Sequence, residues 1–368
     1  MYNYSYWESA LYDQVYDLVI VGGGLTGQST ALFYKKENPS AKVLVVDRGF
    51  YPIGASTRNA GFACIGTIGE HISDLEIDSE KALKKRIQDR FRGLLLLRET
   101  LGDTAIDYKH TGGWEIFSNT ADFDTANAQI GKFNTWMKEL IGEDSLYEAV
   151  SYQGFPSIYN RCEGMLHPGK MMKALYEKNI GLGVEFRWNT PVISLNTVGT
   201  EVLLEEDRSI KADKLVIATN AFTSKLLPEV KITPGRGYVF VTNEVDDLKW
   251  KGTFHYNKGY VYFRNLGEKR LLIGGGRNVD TKAEETSEFG INESIKEYLV
   301  NFVNNQLNFA KGWEIEREWS GIMGFSESKS PLIHKIGNST LLVAGLSGMG
   351  VALGMQLGRK VSQDLNSL

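Results

Sequence analysis

The chain has 368 residues, 42% of them hydrophobic and 23% charged, and a formal net charge of −4. This is the composition of a folded globular protein and not of a disordered one. The slight acidity, with no basic domain, excludes a general nucleic-acid binder, and the length favours two domains over one.

Residues 1–10 are aromatic and polar and lack the basic start and apolar run of a secretory signal. The longest apolar stretches, such as residues 18–21 and 94–97, fall far short of the roughly 20 residues that cross a bilayer. A cytoplasmic protein without a membrane span is therefore expected. Two cysteines, Cys64 and Cys162, are too few and too far apart to suggest a disulfide framework or a zinc site, so no metal is expected.

Short β-branched runs at residues 18–21, 43–46, 215–218 and 341–344 predict parallel strands buried on both faces. They are scattered from one end of the chain to the other, so the sheet they form is assembled from discontinuous pieces. Residues 107–119 and 237–276, rich in Tyr, Phe, Trp and Val, predict antiparallel strands with a turn at Asn265-Leu266-Gly267-Glu268. Apolar positions three and four apart predict helices over 80–101, 124–141 and 292–306.

Directly after the first strand, Gly22-Gly23-Gly24-Leu25-Thr26-Gly27 carries G-x-G-x-x-G, and residues 28–36 predict the helix that follows. Gly22 permits the tight turn, Gly24 lets backbone approach a pyrophosphate, and Gly27 allows close helix-to-strand packing. Asp47 ends the second strand about 20 residues further on, where an acid meets a ribose hydroxyl. Strand, glycines, helix and acid agree on a dinucleotide, but the motif alone does not choose between FAD and NAD.

The next segment, Gly54-Ala55-Ser56-Thr57-Arg58-Asn59-Ala60-Gly61-Phe62, closely resembles the second flavin-binding segment of the D-amino-acid oxidase superfamily, which includes glycine oxidase, sarcosine oxidase and γ-glutamylputrescine oxidase. Further matches follow in the family's order: Leu166-His167-Pro168-Gly169-Lys170, Asn189-Thr190-Pro191-Val192, Val216-Ile217-Ala218-Thr219-Asn220-Ala221, Trp319-Ser320-Gly321, and Gly345-Leu346-Ser347-Gly348-Met349-Gly350-Val351. The resemblance implies an α/β fold, α+β overall. A discontinuous Rossmann-like FAD-binding domain would comprise residues 1–90, 153–232 and 320–368. A second domain, an antiparallel sheet flanked by helices, would comprise 91–152 and 233–319.

The same resemblance implies FAD contacts from Gly22, Gly24, Leu25, Thr26, Gly27, Asp47 and Arg48, and from Ala55, Ser56, Thr57, Arg58, Asn59, Ala60 and Gly61. It adds Val192, Ala218, Thr219 and Gly321, and the C-terminal loop residues Gly345, Ser347, Gly348, Met349, Gly350 and Val351. That loop opens a helix running to about residue 365, whose free N–H groups and positive dipole end suit a ring that gains negative charge on reduction. Sarcosine oxidase attaches its flavin through a cysteine near the position of Met323, so non-covalent FAD is expected here. A small buried thiol is the reading for Cys64.

On the substrate side, Tyr260, Tyr262 and Arg264 fall at period two and share one strand face. They line either a pocket, with Arg264 as an anion anchor, or a solvent-facing strand. Arg277 is a weaker anchor, and Trp114 and Tyr256 offer ring faces to a cation. His167 precedes Pro168 and suits a helix start rather than catalysis. Glycine oxidase's carboxylate-binding arginines are replaced by Met323 and Gly348, and sarcosine oxidase's oxygen-activating lysine by Leu271 or Leu272. The expected reaction is oxidation of a C–N bond in a small amine or N-substituted amino acid. A 2-hydroxy acid oxidoreductase, an NAD(P)-dependent reductase and an idle flavin-binding module are the alternatives. Substrate identity, stereochemistry, electron acceptor and oligomeric state stay open.

Overall fold

A computed structural model describes residues 5–197, 200–205 and 208–368, so part of the opening stretch read above, residues 1–4, lies outside the described residues. The chain divides into two compact units: Met1–Thr57, Gly169–Pro234 and Met323–Leu368 in the first, Arg58–Pro168 and Gly235–Ile322 in the second. Residues 58–90, 153–168 and 320–322, assigned from sequence to the nucleotide domain, belong to the second unit, and residues 233–234 to the first. Strand pairing is the reason. Phe155–Asn160 hydrogen-bonds to Gly113–Ile116, and Phe62–Ala63 pairs with Gly164–Met165.

In the first unit the four apolar runs lie side by side. The order is Thr340–Ala344, Ser209–Ile217, Tyr16–Val21, Val43–Val46, all parallel, with Glu185–Arg187 added beyond and Leu332–Ile336 antiparallel at the other edge. Leu18, Val19, Ile20 and Leu44 have no exposed surface, the burial on both faces that a continuous apolar run requires. The helices Leu25–Glu37 and Gly350–Asn366 pack on each other. A Cβ on Gly358 would lie 2.4 Å from the Cβ of Ser29, so a glycine is needed for their approach.

In the second unit the sheet runs Ile315–Phe325, Thr233–Thr242, Arg270–Gly275, Val261–Leu266, Thr253–Tyr256, Gly113–Ile116, Phe155–Asn160, Tyr147–Tyr152. Thr253–Tyr256 and Gly113–Ile116 are parallel, while their neighbours pair antiparallel. One face is an aromatic core built on Phe254 and Phe263, stacked at 4.9 Å, with Trp250 edge-on to both. Each ring so buried contributes about 2 kcal/mol. The helix Glu293–Asn305 covers that face with Ile295, Leu299 and Phe302. Trp114 and Tyr256, considered above for cation binding, pack against this core instead.

The helix Glu80–Leu101 has the predicted bounds, whereas residues 124–141 hold two helices, Thr120–Asn127 and Ile130–Ile141. The first buries only Ala126; the second buries Phe133, Trp136 and Met137. Among the described residues no helix is long and apolar enough to cross a membrane.

Candidate active site

In the first unit, the turn between Tyr16–Val21 and Leu25–Glu37 is built by backbone. Gly22 has φ +111°, and a Cβ there would lie 2.5 Å from the carbonyl oxygen of Ala218. A Cβ on Gly27 would lie 2.0 Å from the carbonyl oxygen of Gly22. At Gly24, by contrast, an added Cβ would meet only the Ser56 hydroxyl, 3.1 Å away, within 4 Å. Gly24 caps the helix with no side-chain hydrogen bond, and the Leu25 N–H donates to Ser56 Oγ at 2.9 Å. A helix N-terminus whose capping residue has no side chain, with only the Ser56 hydroxyl before it, suits an anion.

Asp47 accepts from the Gly23 N–H through Oδ2 and from the Gly49 N–H through Oδ1, both at 2.8 Å. Each oxygen keeps a lone pair for a hydroxyl donor. Burial pushes its carboxyl above the ordinary value, against those two donors, which lower it. Arg48 lies over the ring of Phe222 at 3.9 Å, Ala55–Arg58 forms one helical turn, and Val192 starts the strand Val192–Asn196. Thr219 caps the short 3-10 helix Asn220–Lys225 that follows Ala218.

The second glycine turn of this unit is the loop before Gly350–Asn366. Gly345, Ser347 and Gly348 have φ +78°, +49° and +84°. The Gly345 N–H donates to Asn220 Oδ1 at 3.0 Å, the Ser347 N–H to the Gly324 carbonyl at 2.9 Å, and the Met349 N–H to the Leu346 carbonyl at 2.9 Å. These three N–H groups are paired and hold the loop in shape. The first-turn N–H groups of Gly350 and Val351 have no intrahelical acceptor by helix geometry, and Met349 gives no side-chain cap. A Cβ on Gly348 would lie 3.7 Å from Met323 Sδ.

In the second unit, the Trp319 indole donates to the Arg58 carbonyl at 2.9 Å, and a Cβ on Gly321 would stand 3.2 Å from that of Arg58. Asn59 Oδ1 accepts from the Gly61 N–H at 2.9 Å. Arg264 is 5% exposed and binds backbone here: Nε donates to the Ala60 carbonyl at 2.6 Å and an Nη to the Leu166 carbonyl at 3.3 Å. Burial lowers its pKa to about 10. The guanidinium considered above as an anion anchor is thus spent on the carbonyls flanking the small-residue segment. Tyr262 packs edge-on against Phe62 at 5.5 Å, and burial raises its phenol to about 12. Tyr260 stands 47% exposed, just before the strand.

The sequence profile described as FAD dependent oxidoreductase (DAO) matches residues 17–363, nearly the whole chain. The chain belongs to that family of FAD-dependent oxidoreductases. It is 23% identical over 376 residues to gamma-glutamylputrescine oxidoreductase of Escherichia coli, covering 95% of this chain and 83% of that one. It is 21% identical over 359 residues to glycine oxidase of Bacillus subtilis, covering 94% and 92%. In fold it is similar to the crystal structure of iminodiacetate oxidase from Chelativorans sp. BNC1, with a TM-score of 0.76, 17% identity and 95% of each chain covered. The glycine-capped helix start at Gly24, with only the Ser56 hydroxyl near it, and the Asp47 carboxylate fit the phosphate and ribose of the FAD that this DAO-family enzyme uses.

The second unit of this DAO-family enzyme also holds buried polar groups that sequence reasoning missed. His255 Nε2 shares a 2.8 Å hydrogen bond with Glu163 Oε2, and both are buried. Burial opposes charge on the imidazole, but the adjoining Glu163 carboxylate outweighs it and holds His255 up at about 9. Glu115 is 3% exposed, and burial raises its carboxyl to about 7. Single-residue patterns carry no signal for such a set, because its members come from segments far apart in the chain.

Proposed function

We propose that this oxidoreductase removes a hydride from a carbon bearing a neutral amine, oxidising a C–N bond of an amine or N-substituted amino acid to an imine that water hydrolyses. FAD supplies, when bound, a two-electron hydride acceptor. Its pyrophosphate would lie at Gly22–Gly27 with the ribose on Asp47, and the N-terminal turn at Gly350 and Val351 would place N–H donors and a helix dipole where negative charge develops. Arg58, Asn59, Ala60 and Gly61 would form a backbone edge held in shape by Arg264 and Trp319. Placement is the chain's main contribution to such a hydride transfer.

The observation that carries the substrate reading is Met323 beside Gly348 in the C-terminal loop. A thioether offers neither a charge for a substrate carboxylate nor a nucleophile for the flavin. This favours non-covalent FAD and substrates whose recognition does not depend on a carboxylate at that spot. The relatives' names, which include a glutamyl-conjugated diamine, an amino acid and an iminodiacetate, suit the same chemistry. The test is anaerobic bleaching of the purified yellow protein across amines, N-methyl amino acids, D-amino acids and 2-hydroxy acids. Bleaching by amines supports the proposal. Bleaching by 2-hydroxy acids alone, or by nothing, overturns it, and acid precipitation that leaves the colour with the protein would sink non-covalent binding.

A further inference from the structure

The strand pair Phe62–Ala63 and Gly164–Met165 runs antiparallel with Phe62 opposite Met165 and Ala63 opposite Gly164. Continuing that register by one residue sets Cys64 opposite Glu163. From the large sheet, His255 in Thr253–Tyr256 reaches the same place and hydrogen-bonds Glu163 at 2.8 Å. The Cys64 sulfur, a Glu163 carboxylate oxygen and a His255 ring nitrogen all lie within 4.8 Å of one another. Their residues are 8%, 1% and 5% exposed.

A fourth group faces the same place. Glu115 is the register partner of His255 on the parallel neighbour strand. It lines one small cavity together with Glu163, His255, Asn160 and Thr67. Its Oε2 accepts from the Gly69 N–H at 3.0 Å and the Thr67 hydroxyl favours its charged form, while Oε1 is buried with no hydrogen bond of full geometry among the described residues. A buried carboxylate oxygen left unpaired costs about 1–3 kcal/mol or more. A histidine–glutamate ion pair alone leaves both this oxygen and the thiol unexplained.

We propose that Cys64, Glu163 and His255 form a binding site for a divalent cation of the zinc class, with Glu115 lining the space beside it. Mixed sulfur, nitrogen and oxygen donors select zinc over magnesium or calcium, which take oxygen alone. Tetrahedral zinc puts its ligand atoms roughly 3.3–3.7 Å apart, given bond lengths of about 2.0–2.3 Å. The sulfur would therefore close in by at most about 1–1.5 Å and the nitrogen and oxygen part slightly. Binding displaces the thiol proton and the proton shared by His255 and Glu163 to solvent. The ion would cross-link three segments, around residues 64, 163 and 255, that strand pairing and the His255–Glu163 hydrogen bond already bring together. This goes beyond the redox function and does not depend on it.

The test is the metal content of the FAD-loaded protein after incubation with zinc chloride and gel filtration. About one zinc per chain is expected for the wild type, falling about tenfold in both Cys64→Ser and His255→Gln. Less than about a tenth of an equivalent in the wild type, or undiminished zinc in either folded variant, overturns the proposal. Should the variants fail to fold, cobalt chloride added to the wild type decides. An intense tetrahedral cobalt band to the red of the flavin bands supports the site; the faint spectrum of hydrated cobalt overturns it. Neither readout uses turnover, so this result is independent of the substrate screen.

Discussion

The turn at Gly22–Gly27 and the cluster at Glu115, Glu163 and His255 are built on opposite principles. At the turn, side chains are absent where they would intrude: added Cβ atoms on Gly22 and Gly27 would sit 2.5 Å and 2.0 Å from carbonyl oxygens. Local backbone therefore does the work, and its requirements are written in six consecutive residues. In the second unit, charged side chains are buried and paired across long stretches of chain. Arg264 holds the carbonyls of Ala60 and Leu166, and His255 holds Glu163. The turn at Gly22–Gly27 rests on geometry that a methyl group spoils, whereas order in the second unit rests on groups whose removal strands a buried partner.

If that contrast is right, adding one carbon to the turn costs more than deleting a polar group beside it. Gly27→Ala should produce the largest effect: a loss of at least about 3 kcal/mol of stability and protein that purifies colourless. A yellow Gly27→Ala protein with wild-type melting temperature breaks the comparison. Next comes Arg264→Met, which leaves the Ala60 and Leu166 carbonyls without their buried donor and should lower stability by about 2–3 kcal/mol in urea unfolding. A wild-type midpoint would show that the guanidinium is dispensable to the segment it contacts.

Asp47→Asn should weaken FAD binding about tenfold, equivalent to about 1.4 kcal/mol, through poorer acceptance from Gly23 and the ribose. Flavin-fluorescence titration of the apoprotein measures it, and an unchanged dissociation constant argues against ribose contact. The smallest effect is expected at Ser56→Ala, which frees the Leu25 N–H and should cost about 1 kcal/mol of stability. An effect of Ser56→Ala equal to that of Gly27→Ala would mean that side chains, not backbone space, govern the turn.

The continuous apolar runs at 18–21, 43–46, 215–218 and 341–344 marked the central strands, because burial on both faces demands residues without polar atoms. Their adjacency order did not show. The C-terminal loop was readable as a glycine turn opening a helix, but which of its N–H groups stay free depended on Asn220 and Gly324, far away in sequence. The period-two pattern of Tyr260, Tyr262 and Arg264 placed them on one strand face, but the strand begins only at Val261, and the pattern said nothing of their partners. Tyr260 ended in solvent, Tyr262 against Phe62 and Arg264 on backbone carbonyls.

Family membership, the Gly22–Gly27 turn and the strand identities could be read from residues in order, since each depends on neighbours a few positions apart. The placement of residues 58–90 and 153–168, the task of Arg264, and the meeting of Cys64 with Glu163 and His255 came only with folding. The two-residue pairing of Phe62–Ala63 with Gly164–Met165 is too short to leave a periodic trace. Contacts between segments a hundred residues apart are chosen by the packing of whole sheets, and no local pattern encodes them.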